Sequence, residues 1–302
     1  MIISKRWWAL LAATAASTIY GINHTIAKGL MPSVIEPYGF IVLRVTGAAL
    51  LFWIVSLFFP SEKIKSKDWP RFVACAAFGM VLNMLMFFKG LSLSTPINSS
   101  VVITLSPVLL LVLSAIFLKE RITWLKSIGI AIGLAGALVL ILFGAKTQPN
   151  APNIPLGNML FIINAASYSV YLIIVKPLVA RYSSITLMKW FFLFAVLINL
   201  PIGWSEFSAV DWAHLSFDAV WKLSFVVVAT TFLTYLLNVY ALKVLSPSTI
   251  GAFIYLQPVL ATVFAIMAGA DTLTGLIVGC TALIFAGVYL SSRAPKGKGN
   301  IN

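Results

Sequence analysis

The chain has 302 residues, of which 61% are apolar and 10% are charged, and its formal net charge is +13. Because soluble domains carry about a quarter charged residues, this composition excludes a conventional soluble enzyme, a disordered chain and a coiled coil. Two cysteines and two histidines predict neither a disulfide framework nor a metal site, and no cofactor is expected. The basic residues lie in short spacers between apolar runs, which favours membrane lipids over nucleic acid as their partner.

Ten apolar runs follow one another, each long enough to cross a bilayer as a helix. They lie at about 7–27, 37–59, 72–92, 97–118, 124–144, 155–175, 184–205, 219–242, 248–269 and 272–291. Since backbone groups in lipid must bond within their own segment, the runs predict an all-α integral membrane protein with ten transmembrane helices. Lys5 and Arg6 resemble the start of a signal peptide. The first run is too long for one and no polar mature segment follows, which predicts an uncleaved first span.

The basic residues are distributed unequally between the two sides of this ten-span arrangement. Sixteen lysines and arginines fall on the side of the termini and four on the opposite side, while Arg44 lies within span 2. Cytoplasmic loops carry the excess of basic residues in membrane proteins. We therefore predict a multi-pass protein of the cell membrane with both termini in the cytoplasm.

The two halves of the chain resemble each other at a shift of 151 residues. The matching pairs are Pro96 and Pro247, Leu105 and Leu256, Pro107 and Pro258, Glu120 and Asp271, Thr123 and Thr274, and Gly136 and Gly287. Each half holds five spans, an odd number, so the second repeat must lie inverted in the membrane. The predicted organisation is a first repeat at 1–144, a linker at 145–154, a second repeat at 155–291 and a basic cytoplasmic tail at 292–302.

These repeats resemble a known family. The residues that carry the resemblance are Lys89-Gly90-Leu91-Ser92, Pro107, Lys119-Glu120-Arg121 and Gly136 in the first half, and Tyr240-Ala241-Leu242, Pro258, Asp271 and Gly287 in the second. The pattern is similar to the EamA repeat of the drug/metabolite transporter superfamily, although Asp271 stands where Glu is usual and Tyr20 where Trp is usual. The resemblance implies a ten-helix permease for small molecules, not an enzyme.

Polar residues gather in spans 1, 3, 4, 6, 8 and 9, whereas spans 5 and 10 are rich in glycine. Inverted-repeat carriers bind substrate near the midplane, where the repeats meet. The predicted cavity residues are Tyr20, Asn23, His24, Arg44, Asn83, Asn98, Thr104, Pro107, Asn164, Tyr168, Tyr171, Tyr235, Asn238, Tyr255, Gln257 and Pro258. The alternative for each polar group is a hydrogen bond between helices without contact to substrate.

Two prolines at matching positions, Pro107 and Pro258, are predicted to interrupt spans 4 and 9. Each proline frees the carbonyl four residues earlier, at Ile103 and Ile254. Those carbonyls either help to coordinate a ligand or accept a bond from a nearby hydroxyl such as that of Thr104. A kink that only shapes the cavity wall is the third interpretation.

The ionisable residues within the spans each allow two interpretations. Arg44 either faces the cavity and attracts a substrate carboxylate or phosphate, or it reaches the headgroups or pairs with Glu36. His24 is either a proton carrier or substrate ligand, or a neutral side chain bonded to a neighbouring helix. All eight acids lie at span ends or in spacers, where water is expected to keep them ionised, so buried-carboxylate antiport is not expected.

The leading hypothesis is a secondary permease that exports or facilitates the passage of small polar metabolites, such as amino acids, by alternating access. A nucleotide-sugar or lipid-type carrier of the same superfamily is the first alternative. An integral membrane enzyme or receptor is a remote one, because the sequence has neither a catalytic motif nor an ATP-binding loop. Whether the protein is a monomer or a homodimer stays open.

Overall fold

The computed structural model describes residues 5–118, 124–143, 147–245, 253 and 256–292. The helices are α1 (Lys5–Leu30), α2 (Pro37–Ser56), α3 (Trp69–Ala76), α4 (Asn83–Leu93), α5 (Pro96–Ile103), α6 (Ser106–Leu118), α7 (Trp124–Phe143), α8 (Ile154–Val179), α9 (Ser184–Ser208), α10 (Phe217–Ser224), α11 (Thr234–Val244), α12 (Leu256–Met267) and α13 (Gly275–Ser292). Two π-helical turns, Ala77–Leu82 and Phe225–Leu233, join α3 to α4 and α10 to α11.

The predicted spans coincide with these helices to within a few residues, although 248–255 lies mostly outside the described residues. Among the described residues, five helices are long and apolar enough to cross a membrane: Pro37–Ser56, Ser66–Leu93, Ile154–Val179, Ser184–Ser208 and Phe217–Asn238. The all-helical fold is therefore confirmed. The number of crossings and the inversion of the repeat stay predictions.

Helix starts are set by local sequence. Thr95, Asn153, Ser183 and Ser216 are N-caps whose side chains accept a backbone N–H from the first turn of α5, α8, α9 and α10. Proline occupies the first turn of α2, α3, α5 and α8, where its missing N–H costs nothing. The helix boundaries thus follow from residues whose effect is local.

Packing between helices is reciprocal between the two halves of the chain. The most extensive contacts join α2 to α9 and α7 to α13. In addition, α1 packs on α11 and α12, while α8 packs on α4 and on α5 and α6. Each of these contacts between a span of the first half and a span of the second half therefore has a counterpart between the equivalent spans with the halves exchanged. For example, span 1 packs on spans 8 and 9, and span 6 packs on spans 3 and 4.

Glycines allow the two largest helix pairs to approach until their backbones touch. A Cβ atom on Gly287 of α13 would lie 2.6 Å from the carbonyl oxygen of Gly129 on α7, and it would overlap the backbone of Gly133. A Cβ atom on Gly203 of α9 would overlap the carbonyl of Tyr38 at the start of α2. Small residues at such crossings are the usual means of close packing between membrane helices.

Acidic side chains from one half hold helix starts of the other half. The Glu206 carboxylate accepts the backbone N–H groups of Tyr38 (2.6 Å) and Gly39 (2.9 Å). The Asp271 carboxylate accepts the N–H of Ile97 at 3.2 Å, where α5 begins. In the opposite direction, Glu62 accepts the N–H of Ser183 at 2.9 Å. Negative groups are favourable at these positions, because exposed N–H groups and the helix dipole make a helix start electropositive.

A second group of bonds joins the residues before α3 to those after α8. Arg181 donates from one terminal nitrogen to both carboxylate oxygens of Asp68, at 2.7 and 2.9 Å, and the Tyr182 hydroxyl donates to Asp68 at 2.8 Å. Asp68 is 4% exposed and Asp271 is 6% exposed. The expectation that the acids are surrounded by water that keeps them ionised is therefore wrong for these two, whose partners are protein groups, among them the distant Arg181 and Tyr182 for Asp68 and Ile97 for Asp271.

We expect Glu206→Gln to lower the free energy of unfolding by about 1 kcal/mol, because the amide replaces an ionised acceptor at the start of α2. The matched control is Glu36→Gln. Glu36 is the N-cap residue of the same helix, and its side chain makes no capping bond. Thermal unfolding of the purified proteins in detergent measures both effects. Equal melting temperatures for the two variants would contradict this role of Glu206.

Candidate functional site

A cavity of about 210 Å³ lies among α1, α2, α4, α5, α6, α8, α9, α11 and α12. On α1 its wall uses Ala13, Ser17, Tyr20 and His24, which are spaced three or four residues apart and therefore share one face of the helix. On α8 the wall follows a similar stripe, which extends from Asn164 to Val179. Helical periodicity thus directs polar and aromatic side chains from both halves of the chain into one space.

Eleven of the sixteen residues predicted from the sequence lie in this wall. They are Tyr20, Asn23, His24, Arg44, Asn83, Asn164, Tyr168, Tyr171, Tyr235, Asn238 and Gln257. Asn98, Thr104, Pro107 and Pro258 lie outside it, and Tyr255 is outside the described residues. Three further polar residues, Ser17, Ser106 and Thr230, belong to the wall although the sequence did not single them out.

The predicted interruption of span 4 is present as a break between α5 and α6 at Thr104 and Leu105. The Ile103 carbonyl accepts the Ser106 hydroxyl at 2.7 Å, whereas the Thr104 hydroxyl donates to the Val101 carbonyl at 2.6 Å. Ser106, not Thr104, therefore satisfies the freed carbonyl. Since Ile103 and Ser106 both line the cavity, the break itself forms part of the wall.

Two π-helical turns lie at related positions of the two halves, and Thr230 of the second one lines the cavity. Shifted by 151 residues, Ala77–Leu82 falls within Phe225–Leu233. The Ser167 hydroxyl donates to the Phe78 carbonyl at 2.6 Å, and the Thr231 hydroxyl donates to the Val226 carbonyl at 2.8 Å. Such turns are frequent at functional sites. No proline marks them in the sequence, so sequence reasoning did not find them, and Gly79 is the nearest signal.

Arg44 is the cation of the described wall. It is 4% exposed, its Nε donates to the Thr231 hydroxyl at 2.9 Å, and its Cζ lies 4.6 Å from the centre of the Phe88 ring. Within the described part of the chain it forms no ion pair with Glu36 or any other acid. The side chain of Arg44 therefore faces the cavity and does not pair with Glu36.

His24 both lines the cavity and bonds to a neighbouring helix. Its Nδ1 lies 2.6 Å from the Ser99 hydroxyl, and that hydroxyl donates its hydrogen to the Pro96 carbonyl at 2.8 Å. Because a serine hydroxyl has one hydrogen to donate, we assign the Nδ1–H of His24 as the donor to Ser99. Nε2 then carries a lone pair, and it has no hydrogen-bond partner within the described residues.

Asparagines and tyrosines complete the polar wall. Asn83 donates from Nδ2 to the Asn164 carbonyl at 3.3 Å, and Asn164 donates from Nδ2 to the Asn83 carbonyl at 2.7 Å. This reciprocal pair ties the start of α4 to α8. Next to it, the rings of Tyr168 and Tyr171 lie 5.8 Å apart. Over the residues that the structure describes, the wall holds no aspartate or glutamate.

A family model described as the EamA-like transporter family matches residues 7–142 and, a second time, residues 155–293. The chain belongs to the EamA-like transporter family. The activity of this family is transport, and its members are membrane proteins. The EamA-like model covers each half once, and the two matches meet at the polar linker.

Relatives of this EamA-like protein align along most of its length. An uncharacterized transporter of Archaeoglobus fulgidus is 28% identical, and the alignment covers 95% of this chain and 98% of the relative. A protein of Streptantibioticus cattleyicolor named "Probable terminal-alkyne amino-acid exporter" is 26% identical over 99% of this chain and 97% of its own. A solved crystal structure that is 21% identical has a similar fold, with a TM-score of 0.65 over 95% of this chain and 98% of that chain.

Proposed function

We propose that this protein is a secondary permease that exports small polar metabolites, amino acids among them, or facilitates their passage by alternating access. The observation that carries the proposal is the cavity, whose wall takes polar residues from both family-matched halves. Sites of this kind lie between the repeats of secondary transporters. The relative whose name refers to amino-acid export supports the substrate class.

The proposed architecture is ten crossings in two inverted repeats, at 1–144 and 155–291, with both termini in the cytoplasm. The reciprocal packing of the halves supports two copies of one five-helix unit that face each other, and the odd number of spans in each unit supports their inversion. The excess of basic residues on one side supports the orientation. A reporter that works only in the cytoplasm should be active when fused after Asn302, and activity of a periplasmic reporter there would contradict the orientation.

The test of function is uptake by proteoliposomes of a panel of labelled amino acids, sugars and organic cations, with and without a pH gradient. We expect at least one amino acid to enter faster than in protein-free vesicles, and organic cations to be excluded. A nucleotide-sugar carrier would need several cations for its phosphates, but Arg44 is the one cation in the described wall. Uptake of a nucleotide sugar with no uptake of amino acids would overturn the proposal.

A further inference from the structure

The Arg44 guanidinium has hydrogen-bonding capacity that the protein leaves unused. Its face packs on Phe88, and its Nε edge is held by Thr231, whose own hydrogen is already donated to Val226. Neither terminal nitrogen has an acceptor among the described residues, although the side chain is 96% buried. An unpaired charge is costly to bury in a membrane protein, so a group that pairs with these nitrogens would be strongly stabilised here.

The described protein supplies no counter-charge for Arg44. Three acids that could approach the bundle interior are already bonded at helix ends: Glu206 at the start of α2, Asp271 at the start of α5 and Asp68 at Arg181. None of them lines the cavity. The terminal nitrogens of Arg44 are therefore available to an acceptor on a molecule in the cavity. A carboxylate matches the planar fork of a guanidinium with two parallel bonds.

The single charge of Arg44 selects among anions. A carboxylate carries one negative charge and is balanced by one guanidinium, whereas a phosphate monoester carries between about 1.5 and 2 at neutral pH. Apart from His24, the other polar side chains of the described wall are neutral hydroxyls and amides. The second negative charge of a phosphate would have no cation in the described wall, whereas the ammonium of a zwitterion has a hydrogen-bond acceptor there in Nε2 of His24, so the wall favours a carboxylate.

The unprotonated Nε2 of His24 provides an acceptor for the other end of a zwitterion. His24 lies one helical turn, about 6 Å, from Tyr20 on α1, and both side chains line the same cavity as Arg44. A carboxylate and an amino group on one carbon, with a hydrogen bond at each end, span a distance of this order. An amino group donates hydrogen bonds, and the unprotonated Nε2 can accept one.

We propose that Arg44 binds the carboxylate of the transported molecule and that His24 accepts a hydrogen bond from its amino group, so that the cavity selects α-amino acids over amines, amides and phosphates. This inference rests on the proposed function, because it assumes that the transported molecule occupies the cavity. Arg44 is then the residue that determines specificity for the carboxylate, and Thr231 is a positioning residue that orients it.

The first experiment measures binding without transport. Thermal unfolding of the protein in detergent is followed with acetate, propanoate and 4-methylpentanoate, with their matched amides, and with inorganic phosphate. We expect the carboxylates to raise the melting temperature of the wild-type protein, the amides to leave it unchanged, and Arg44→Gln to lose the response. Arg44→Lys, which keeps the charge without the fork, should respond at concentrations about 10-fold higher. An equal response in wild type and Arg44→Gln, or a larger response to phosphate, would overturn the carboxylate site.

The second experiment uses proteoliposomes and the amino acid that enters fastest in the uptake panel. Its α-amide and its deaminated acid are offered as competitors. We expect the amide to compete about 10- to 100-fold more weakly, the loss typical of one charged hydrogen bond, and the deaminated acid to compete about 10-fold more weakly. Thr231→Val, which keeps the charge, should raise KM for the amino acid with a smaller effect on kcat.

The outcomes separate the two proposals. If no amino acid enters but the carboxylates stabilise the wild-type protein and not Arg44→Gln, the proposed function fails and the carboxylate site stands. If amino acids enter and the α-amide competes as well as the amino acid, the proposed function stands and the carboxylate site is wrong. If the deaminated acid competes fully, the role of His24 is wrong.

Discussion

Gly287→Val is expected to prevent the protein from accumulating in folded form. A Cβ atom at this position would overlap the backbone of Gly133 and lie 2.6 Å from the Gly129 carbonyl oxygen. Backbone atoms cannot change rotamer to make room, so α7 and α13 must separate along their whole contact. Overpacking a well-filled interface costs about 1–3 kcal/mol, and a clash with backbone lies at or above the upper end of that range.

Gly279→Val is the matched control, because it places the same residue on the same helix. A Cβ atom on Gly279 would meet no atom within 4 Å among the described residues. Fluorescence-detected gel filtration measures the folded yield of each variant, and thermal unfolding measures stability. The yield of Gly279→Val should equal that of the wild type. If Gly287→Val is also produced normally and melts within a degree of the control, the close contact of α7 and α13 is wrong.

Gly79→Val is expected to reduce transport at least 10-fold in a protein that still folds. Gly79 lies in the π turn before α4, and a Cβ atom there would be 2.5 Å from Cδ2 and 2.8 Å from Cγ of Tyr171. Tyr171 is buried and its ring lines the cavity. Since the ring is a side chain, it can move, and the free space into which it can move is the cavity of about 210 Å³.

A compensating change tests this mechanism. In Gly79→Val with Tyr171→Ala, the smaller side chain makes room for the valine, so transport should recover part of the loss relative to Gly79→Val. The control is Gly29→Val on α1, since a Cβ atom on Gly29 would meet nothing within 4 Å. Uptake of the amino acid identified by the panel is the measurement. Normal transport by folded Gly79→Val, or a double variant that is less active than the single one, would contradict the explanation.

Much of the fold could be predicted because a bilayer imposes a length on each apolar run. The helix at Ser184–Ser208, for example, follows from an apolar run at 184–205 that is long enough to cross a bilayer. Asn83 and Tyr168 were placed in the cavity for a similar reason, because a polar group in an apolar span needs a partner or water. That argument does not give the direction of a side chain, and Asn98 is buried outside the wall although it lies in a polar span.

The features that the sequence did not predict depend on contacts between distant residues. Without the helix geometry, the sequence could not show that the Ile103 carbonyl accepts the hydroxyl of Ser106 and not that of Thr104. The π turns contain no proline that would mark them in the sequence. In one of them, the Phe78 carbonyl accepts a hydrogen bond from Ser167 on another helix. Asp68 is buried because Arg181 and Tyr182 reach it from more than a hundred residues away. Local sequence cannot encode such partners.

The attachment of α2 to α9 at both ends determines which parts of the molecule can rearrange. Glu206 holds the start of α2, Glu62 holds the start of α9 at Ser183, and Gly203 keeps the backbones in contact. Because α2 and α9 are bonded to each other near both ends, neither end of the pair can separate alone, and the two helices are expected to move as one rigid unit. We therefore expect any exchange of access between the two sides to hinge on the interrupted helices, at the π turns and at the break beside Ser106.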